Sequence, residues 1–303
     1  MFVIRFIIIL LSIAIAGTVC CSDESDSVTD VPDEQGTDDP PPLITSWDVL
    51  PSWTPSGREL VFLGSEPDMN PDHWGVMIYS FDDSSTIVIK SRINPRFLTV
   101  TPDGEWITMK YNSQMLNMSI EGDSVYSLPI PSDASSVDWS PDGLFIAYDT
   151  PGGADRGVYI QNLMTGERKK VRPYVLEPKW MPDGERLLVE GYGYDTDGDD
   201  SEVAIIDTNG NVLVLLTDDN AMVGIIDVSP DGNLVVMSLG FYIYTIPSSG
   251  GTPKLLIEKS GGFPSFSPDG EWIAFTLWSD NNGRLWKIRP DGTDLQQMTG
   301  PRW

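Results

Sequence analysis

WSPDGLFIAYDT, residues 139–150, joins an aromatic residue, a Ser-Pro-Asp-Gly turn and an apolar run. Five variants of its first half recur. Trp53–Gly57 reads WTPSG, Val100–Gly104 VTPDG, Trp180–Gly184 WMPDG, Val228–Gly232 VSPDG and Phe266–Gly270 FSPDG. Between successive turn glycines the intervals are 47, 39, 41, 48 and 38 residues. In each copy Pro presets φ for a type I turn and Gly follows the two central residues. A strand comes next, with apolar residues at the third to fifth positions after Gly, as in Leu60-Val61-Phe62, Ile146-Ala147-Tyr148 and Ile273-Ala274-Phe275.

A second hairpin ends each copy. Its first strand includes Val76–Tyr79, Val158–Ile160, Val203–Ile206 or Leu285–Ile288. Its turn is rich in Gly, Asn and Asp, as in Thr208-Asn209-Gly210 or Pro290-Asp291-Gly292, which supply the positive φ that tight hairpins need. Four short strands in a unit of this length describe a propeller blade. The expected fold is therefore all-β: a six-bladed β-propeller of four-stranded antiparallel blades.

The WSPDGxxIAF pattern, with the later DGTxxxxxT of Asp291–Thr299, resembles the TolB-type propeller repeat. That repeat also occurs in the propellers of prolyl oligopeptidase-like enzymes. The resemblance covers residues 51–299 and is specific for the fold, and its six copies imply six blades. The closing Pro301-Arg302-Trp303 echoes Pro51-Ser52-Trp53, and neither residue chemistry nor spacing explains the echo.

What precedes the repeats has other chemistry. Residues 1–21 combine one Arg with an unbroken apolar and small run from Phe6 to Ala16, the layout of an export signal. Three readings compete. Cys20-Cys21 before an acidic stretch resembles a bacterial lipoprotein attachment point, with Cys20 or Cys21 lipidated, and this reading leads. Ala14-Ile15-Ala16 fits cleavage to a soluble secreted form, and residues 2–21 come close to the length of an uncleaved span. Residues 22–42 hold eight acids and no Lys or Arg and end in three prolines, a composition expected to stay a disordered tether. The propeller domain is then 43–303. It carries 37 acidic and 18 basic residues and no cysteine, so its core must suffice without disulfides. This charge argues against nucleic acid and for cations or basic protein surfaces as partners. The membrane is then met only through the N-terminal anchor, and a monomer is expected.

Enzymatic signatures are sparse. One histidine, His73, rules out a multi-His metal cage, and GxSxG, P-loop, dinucleotide and CxxC motifs are absent. Function is sought instead in the connections between second and third strands, which share one face of a propeller and vary in length here. The long ones are GSEPDMNPDHW (64–74) and GYGYDTDGDDSE (191–202), with SDNNGR (279–284) shorter. They supply the ligand-binding candidates His73, Trp74, Tyr192, Tyr194 and Arg284. Asp195, Asp197, Asp199 and Glu202 surround a Gly turn and could converge on Ca²⁺, although Gly198 and Glu202 sit out of step with an EF-hand loop. A solvated acidic loop without any cofactor is the plainer reading and is preferred. The expectation is a non-catalytic envelope propeller that binds a protein or peptide through its long-loop face. The alternative is a carboxylate-dependent hydrolase or lyase working in the central pocket.

Overall fold

The computed structural model describes residues 47–65, 74–192, 201–217, 223–279 and 282–300. Its 24 strands form six four-stranded antiparallel sheets, each drawn from one continuous stretch of sequence. Blade 1 comprises β1 (Asp48–Trp53), β2 (Glu59–Ser65), β3 (Trp74–Ser80) and β4 (Thr86–Lys90). Blade 2 is β5 (Leu98–Val100), β6 (Trp106–Tyr111), β7 (Gln114–Ser119) and β8 (Val125–Ser127). Blade 3 is β9 (Val137–Trp139), β10 (Phe145–Thr150), β11 (Gly157–Asn162) and β12 (Arg168–Pro173). Blade 4 is β13 (Val175–Trp180), β14 (Arg186–Tyr192), β15 (Ser201–Asp207) and β16 (Val212–Leu215). Blade 5 is β17 (Val223–Val228), β18 (Leu234–Leu239), β19 (Tyr242–Pro247) and β20 (Lys254–Ile257). Blade 6 is β21 (Gly261–Phe266), β22 (Ile273–Ser279), β23 (Asn282–Ile288) and β24 (Gln296–Gln297).

The repeated turn closes each blade's first hairpin by the expected chemistry. In all six, the glycine N–H donates to the carbonyl three residues back at 2.8–3.0 Å, and the glycine φ lies between +69° and +76°. The turn Asp bonds the backbone just ahead of it, as its position in the repeat leads one to expect, and the Ser or Thr hydroxyl adds a second bond to the same oxygen. Ser140 Oγ donates to Asp142 Oδ1 at 2.6 Å, and the Leu144 amide donates to the same oxygen at 3.0 Å. Asp103, Asp231 and Asp269 repeat the arrangement. In the first copy Ser56 takes the aspartate's place, bonding Thr54 Oγ1 at 2.9 Å and the Arg58 amide at 3.2 Å.

Middle strands are buried on both faces, because each sheet is packed between two neighbours. The apolar core is accordingly six clusters, each spanning one blade interface. The cluster between blades 6 and 1 unites Trp53, Leu60, Phe62, Met77 and Tyr79 with Ala274 and Leu285, so first and last repeats meet as sequential ones do. Polar contacts reinforce this closure. Trp53 Nε1 donates to the Ser265 carbonyl at 3.1 Å and Thr276 Oγ1 to the Asp48 carbonyl at 3.1 Å. Trp47 bridges Gly283, where a Cβ would lie 2.9 Å from the indole. Lys287 Nζ sits 4.1 Å over the Trp272 ring and 5.0 Å over Phe81, and Phe81 stacks on Trp53.

Candidate functional site

The innermost strands are interrupted where they line the axis. Pairing with the second strand skips between Val49 and Ser52, Leu176 and Lys179, Val223 and Ile226, and Gly262 and Ser265. Three of these bulges contain a proline: Leu50-Pro51, Glu177-Pro178 and Phe263-Pro264. Proline has no N–H for the ladder and therefore settles at such breaks. The residue before it has positive φ, 56° at Leu50, 49° at Glu177 and 58° at Phe263. Holding a non-glycine residue there costs of order 1 kcal/mol or more, and bulges re-aim side chains beside functional sites.

The re-aimed side chains divide the long-loop mouth into two halves. Leu50 and Phe263 pack against the cluster shared by blades 1 and 2. Phe263 meets Trp278 edge-on at 6.3 Å, and Trp278 meets Phe241 at 6.4 Å. Phe241, 60% exposed in the tight β18–β19 turn, brings this aromatic run to the rim. Gly262 permits it, since a Cβ there would stand 2.9 Å from the Trp278 ring.

The opposite half is acidic. Asp149, at the end of β10 and 1% exposed, accepts from Ser135 Oγ at 2.8 Å and from the Ser136 amide and hydroxyl at 2.7 and 2.9 Å. The Glu177 amide also donates to it. Burial still pushes Asp149 above the usual carboxylate range. Burial, followed by the charges of Glu190 and Asp149, pushes the Glu177 carboxyl up to about 8. The Glu177 carboxyl is therefore shifted toward its protonated form near neutral pH, where it can donate a hydrogen bond or a proton.

Nearer the turn face, the residue before each repeat's aromatic or Val forms a polar ring: Ser52, Thr99, Asp138, Lys179, Asp227 and Ser265. Alternate members bond the next blade's backbone. Ser52 Oγ accepts from the Val100 amide at 3.1 Å, Asp138 from Trp180 at 2.7 Å and Asp227 from Phe266 at 2.7 Å. Lys179 lies 3.3 Å from Asp138. Burial alone would lower Lys179, but the charges of Asp138, Asp227 and Glu177 raise it. Burial drives Asp138 and Asp227 upward, toward the neutral form, so the partners pull in different directions. A charged lysine shared by two carboxylates, each with an amide donor at 2.7 Å, fits the geometry, and we assign that ionised state.

The residues singled out from sequence are described only in part. His73, Tyr194, Asp195, Asp197 and Asp199 lie outside the described residues. Tyr192 ends β14, its backbone paired with Ser201. Glu202 stands opposite Gly191 in β15 and is 2% exposed. Among the described residues, no three His, Cys, Asp or Glu are grouped to hold a metal ion. Trp74 opens β3 and packs against the blade 1–2 cluster. Arg284 is 8% exposed and pairs with fully buried Asp48 at 4.0 Å across the blade 6–1 junction. Sequence reading missed Glu177, Asp149, Glu190 and Phe263. The available signal was the residue-Pro pair three positions before the repeat aromatic, present in three copies.

Comparison with protein-family models returned no match. An uncharacterized protein of Agrobacterium fabrum is 27% identical over 207 residues, covering 49% of this chain and 68% of that protein. The uncharacterized peptidase YuxL of Bacillus subtilis is 32% identical over 146 residues, covering 46% of this chain. The match spans only 21% of the peptidase. Among solved structures, TolB from Acinetobacter baumannii superposes with a TM-score of 0.63 at 17% identity, over 83% of this chain and 62% of its own. A putative TolB from Agrobacterium tumefaciens gives 0.62 at 18% identity, over 72% of this chain and 85% of its own. An oligogalacturonate lyase in complex with manganese gives 0.57 at 13% identity, over 80% of this chain and 89% of its own. The fold is that of the TolB-type six-bladed propeller.

Proposed function

We propose that this chain is a cell-envelope propeller that binds a protein or peptide through its long-loop face, at the mouth between Phe241 and Glu177. The observation that carries the reading is the two-part mouth. An aromatic run reaches from the exposed rim to the axis, opposite a set of desolvated acids. Aromatic residues at a rim supply contact area at little entropic cost, and desolvated acids select a basic or hydrogen-bonding group on the partner. Likeness to TolB structures supports the envelope setting. Anchoring through Cys20 or Cys21 belongs to the same proposal, and among the described residues no helix is long and apolar enough to cross a membrane. Capture from envelope extract tests the binding site. A partner held by the wild type should be lost with Phe241→Ser and kept with Met164→Ser, whose side chain is 82% exposed on the opposite face. Equal loss with both variants would contradict the reading.

One observation favours a second reading. Glu177 protonated near neutrality beside Glu190 and Asp149 has the character of a general acid, as a carboxylate-dependent hydrolase or lyase would require. The fold likeness to an oligogalacturonate lyase points the same way. A turnover activity that disappears in Glu177→Gln, with partner capture unchanged, would favour catalysis over binding.

A further inference from the structure

The outer edge of blade 3 reverses the charge of the molecule. Of 19 Lys and Arg in the chain, five lie between residues 156 and 172: Arg156, Arg168, Lys169, Lys170 and Arg172. Only one acid, Glu167, falls in that interval. Four of the five are on β12, the outermost strand of its sheet. In a chain with 45 acidic residues, counter-ions are abundant. Yet among the described residues no carboxylate is ion-paired with Arg168, Lys169 or Lys170.

Basic residues on an edge strand often serve only to stop edges from pairing with each other. That explanation fits poorly here. Other outer strands leave aliphatic and aromatic side chains bare, including Ile87 and Val88 on β4, Val125 and Tyr126 on β8, and Leu213 on β16. Of those three edges only β4 carries a cation, Lys90, so the concentration of cations on β12 does not follow the need for protection. Blade 3 is also the longest outer edge, with six residues in β12 against two to five in the others.

We infer that β12 is a docking edge for an acidic, extended polypeptide segment, which would add as a fifth strand. Strand addition draws affinity from the unpaired backbone groups of the edge and selectivity from side chains that alternate along it. Both are present. Arg168 and Lys170 lie on one face, their cationic groups 5.8 and 5.5 Å from the Tyr159 ring centroid, which holds them extended over the blade. Lys169 lies on the other face, donating to the Thr208 carbonyl at 3.0 Å and Asn209 Oδ1 at 2.7 Å. Cations on both faces of one strand can flank an added strand, whereas a flat lipid surface could meet only one set. A second β12 would be repelled, so the edge discriminates by charge.

The test uses the full chain and a short peptide of repeating Glu-Glu-Val-Val, which places acids on both faces of a strand, followed by fluorescence anisotropy at low ionic strength. The wild type should bind it, and added salt should weaken binding. Arg168→Glu with Lys170→Glu should weaken it about tenfold or more, and the milder Arg168→Gln with Lys170→Gln should fall between. Lys169 and Arg172 stay unchanged because both hold the blade 4 turn, Arg172 through the Gly210 carbonyl at 2.8 Å. A peptide of the same charge, N-methylated at alternate amides, should not bind. Equal binding of the N-methylated peptide would overturn strand addition. Undiminished binding by the charge-reversed variant would overturn the site, as would binding to anionic phospholipid vesicles without binding to the peptide.

Discussion

Replacing Glu177 by Gln should stabilise the protein, and by an amount that depends on pH. The carboxyl has an ordinary value of 4.5 and is pushed to about 8 in the fold, by burial first and then by Glu190 and Asp149. Below pH 4.5 both folded and unfolded chains hold this proton, and the group costs nothing. Between 4.5 and 8 the unfolded chain releases it and the folded chain keeps it, so stability falls as pH rises. At pH 7 the interval from 4.5 amounts to about 3 kcal/mol, at about 1.4 kcal/mol per pH unit. Glutamine keeps the shape and cannot ionise, so the variant should escape this loss. Urea unfolding of both proteins from pH 4.5 to pH 8 measures the difference, which should be near zero at the acid end and reach about 3 kcal/mol at pH 7. A difference that stays flat with pH, or a variant less stable than wild type at pH 7, would refute the assignment of Glu177 as a half-buried carboxyl raised by its surroundings.

Other perturbations address the frame. Asp227→Ala removes the acceptor of the Phe266 amide and one counter-charge of Lys179, and should cost about 3 kcal/mol by thermal or urea unfolding. Gly210→Ala should cost more than 2 kcal/mol, roughly, because φ is +86° and the new Cβ would lie 2.2 Å from the Val171 carbonyl oxygen. Gly166→Ala, at φ +73° with open space around it, should cost only about 1 kcal/mol. Deleting residues 223–260, which carry blade 5, should abolish soluble folding, since the clusters on both of its faces would be opened. Replacing Cys20 and Cys21 with Ser should move the chain from the membrane to the soluble fraction on cell fractionation.

The architecture was legible because the repeat writes its own geometry. Pro and Gly at fixed positions specify a turn, and the apolar run behind them can only be a strand buried on both faces. Ring closure was legible for the same reason, since the first copy carries Trp53 and Leu60 where the others carry their interface residues. The mouth was not legible from loop length and composition. Glu177 belongs to no loop. It sits within an inner strand, where alternation would assign it to a sheet face, and a two-residue bulge turns it toward Asp149 and Glu190. Those partners come from positions 28 residues before and 13 after it, and only folding brings them together. Arg284 has a partner that its position beside a loop did not disclose. A charged residue beside a loop reads as a ligand contact, yet it is folded back beneath the surface against Asp48.

The long-loop face as the binding surface is tested most directly by photo-crosslinking in intact cells. A benzophenone amino acid is placed either at Phe241, on the rim of the mouth, or at Met164, in the β11–β12 turn on the opposite face. Both positions are well exposed, at 60% and 82%. A discrete protein adduct from position 241 and none from position 164 is the expected result. Adducts from position 164 alone, or equal adducts from both, would contradict the account.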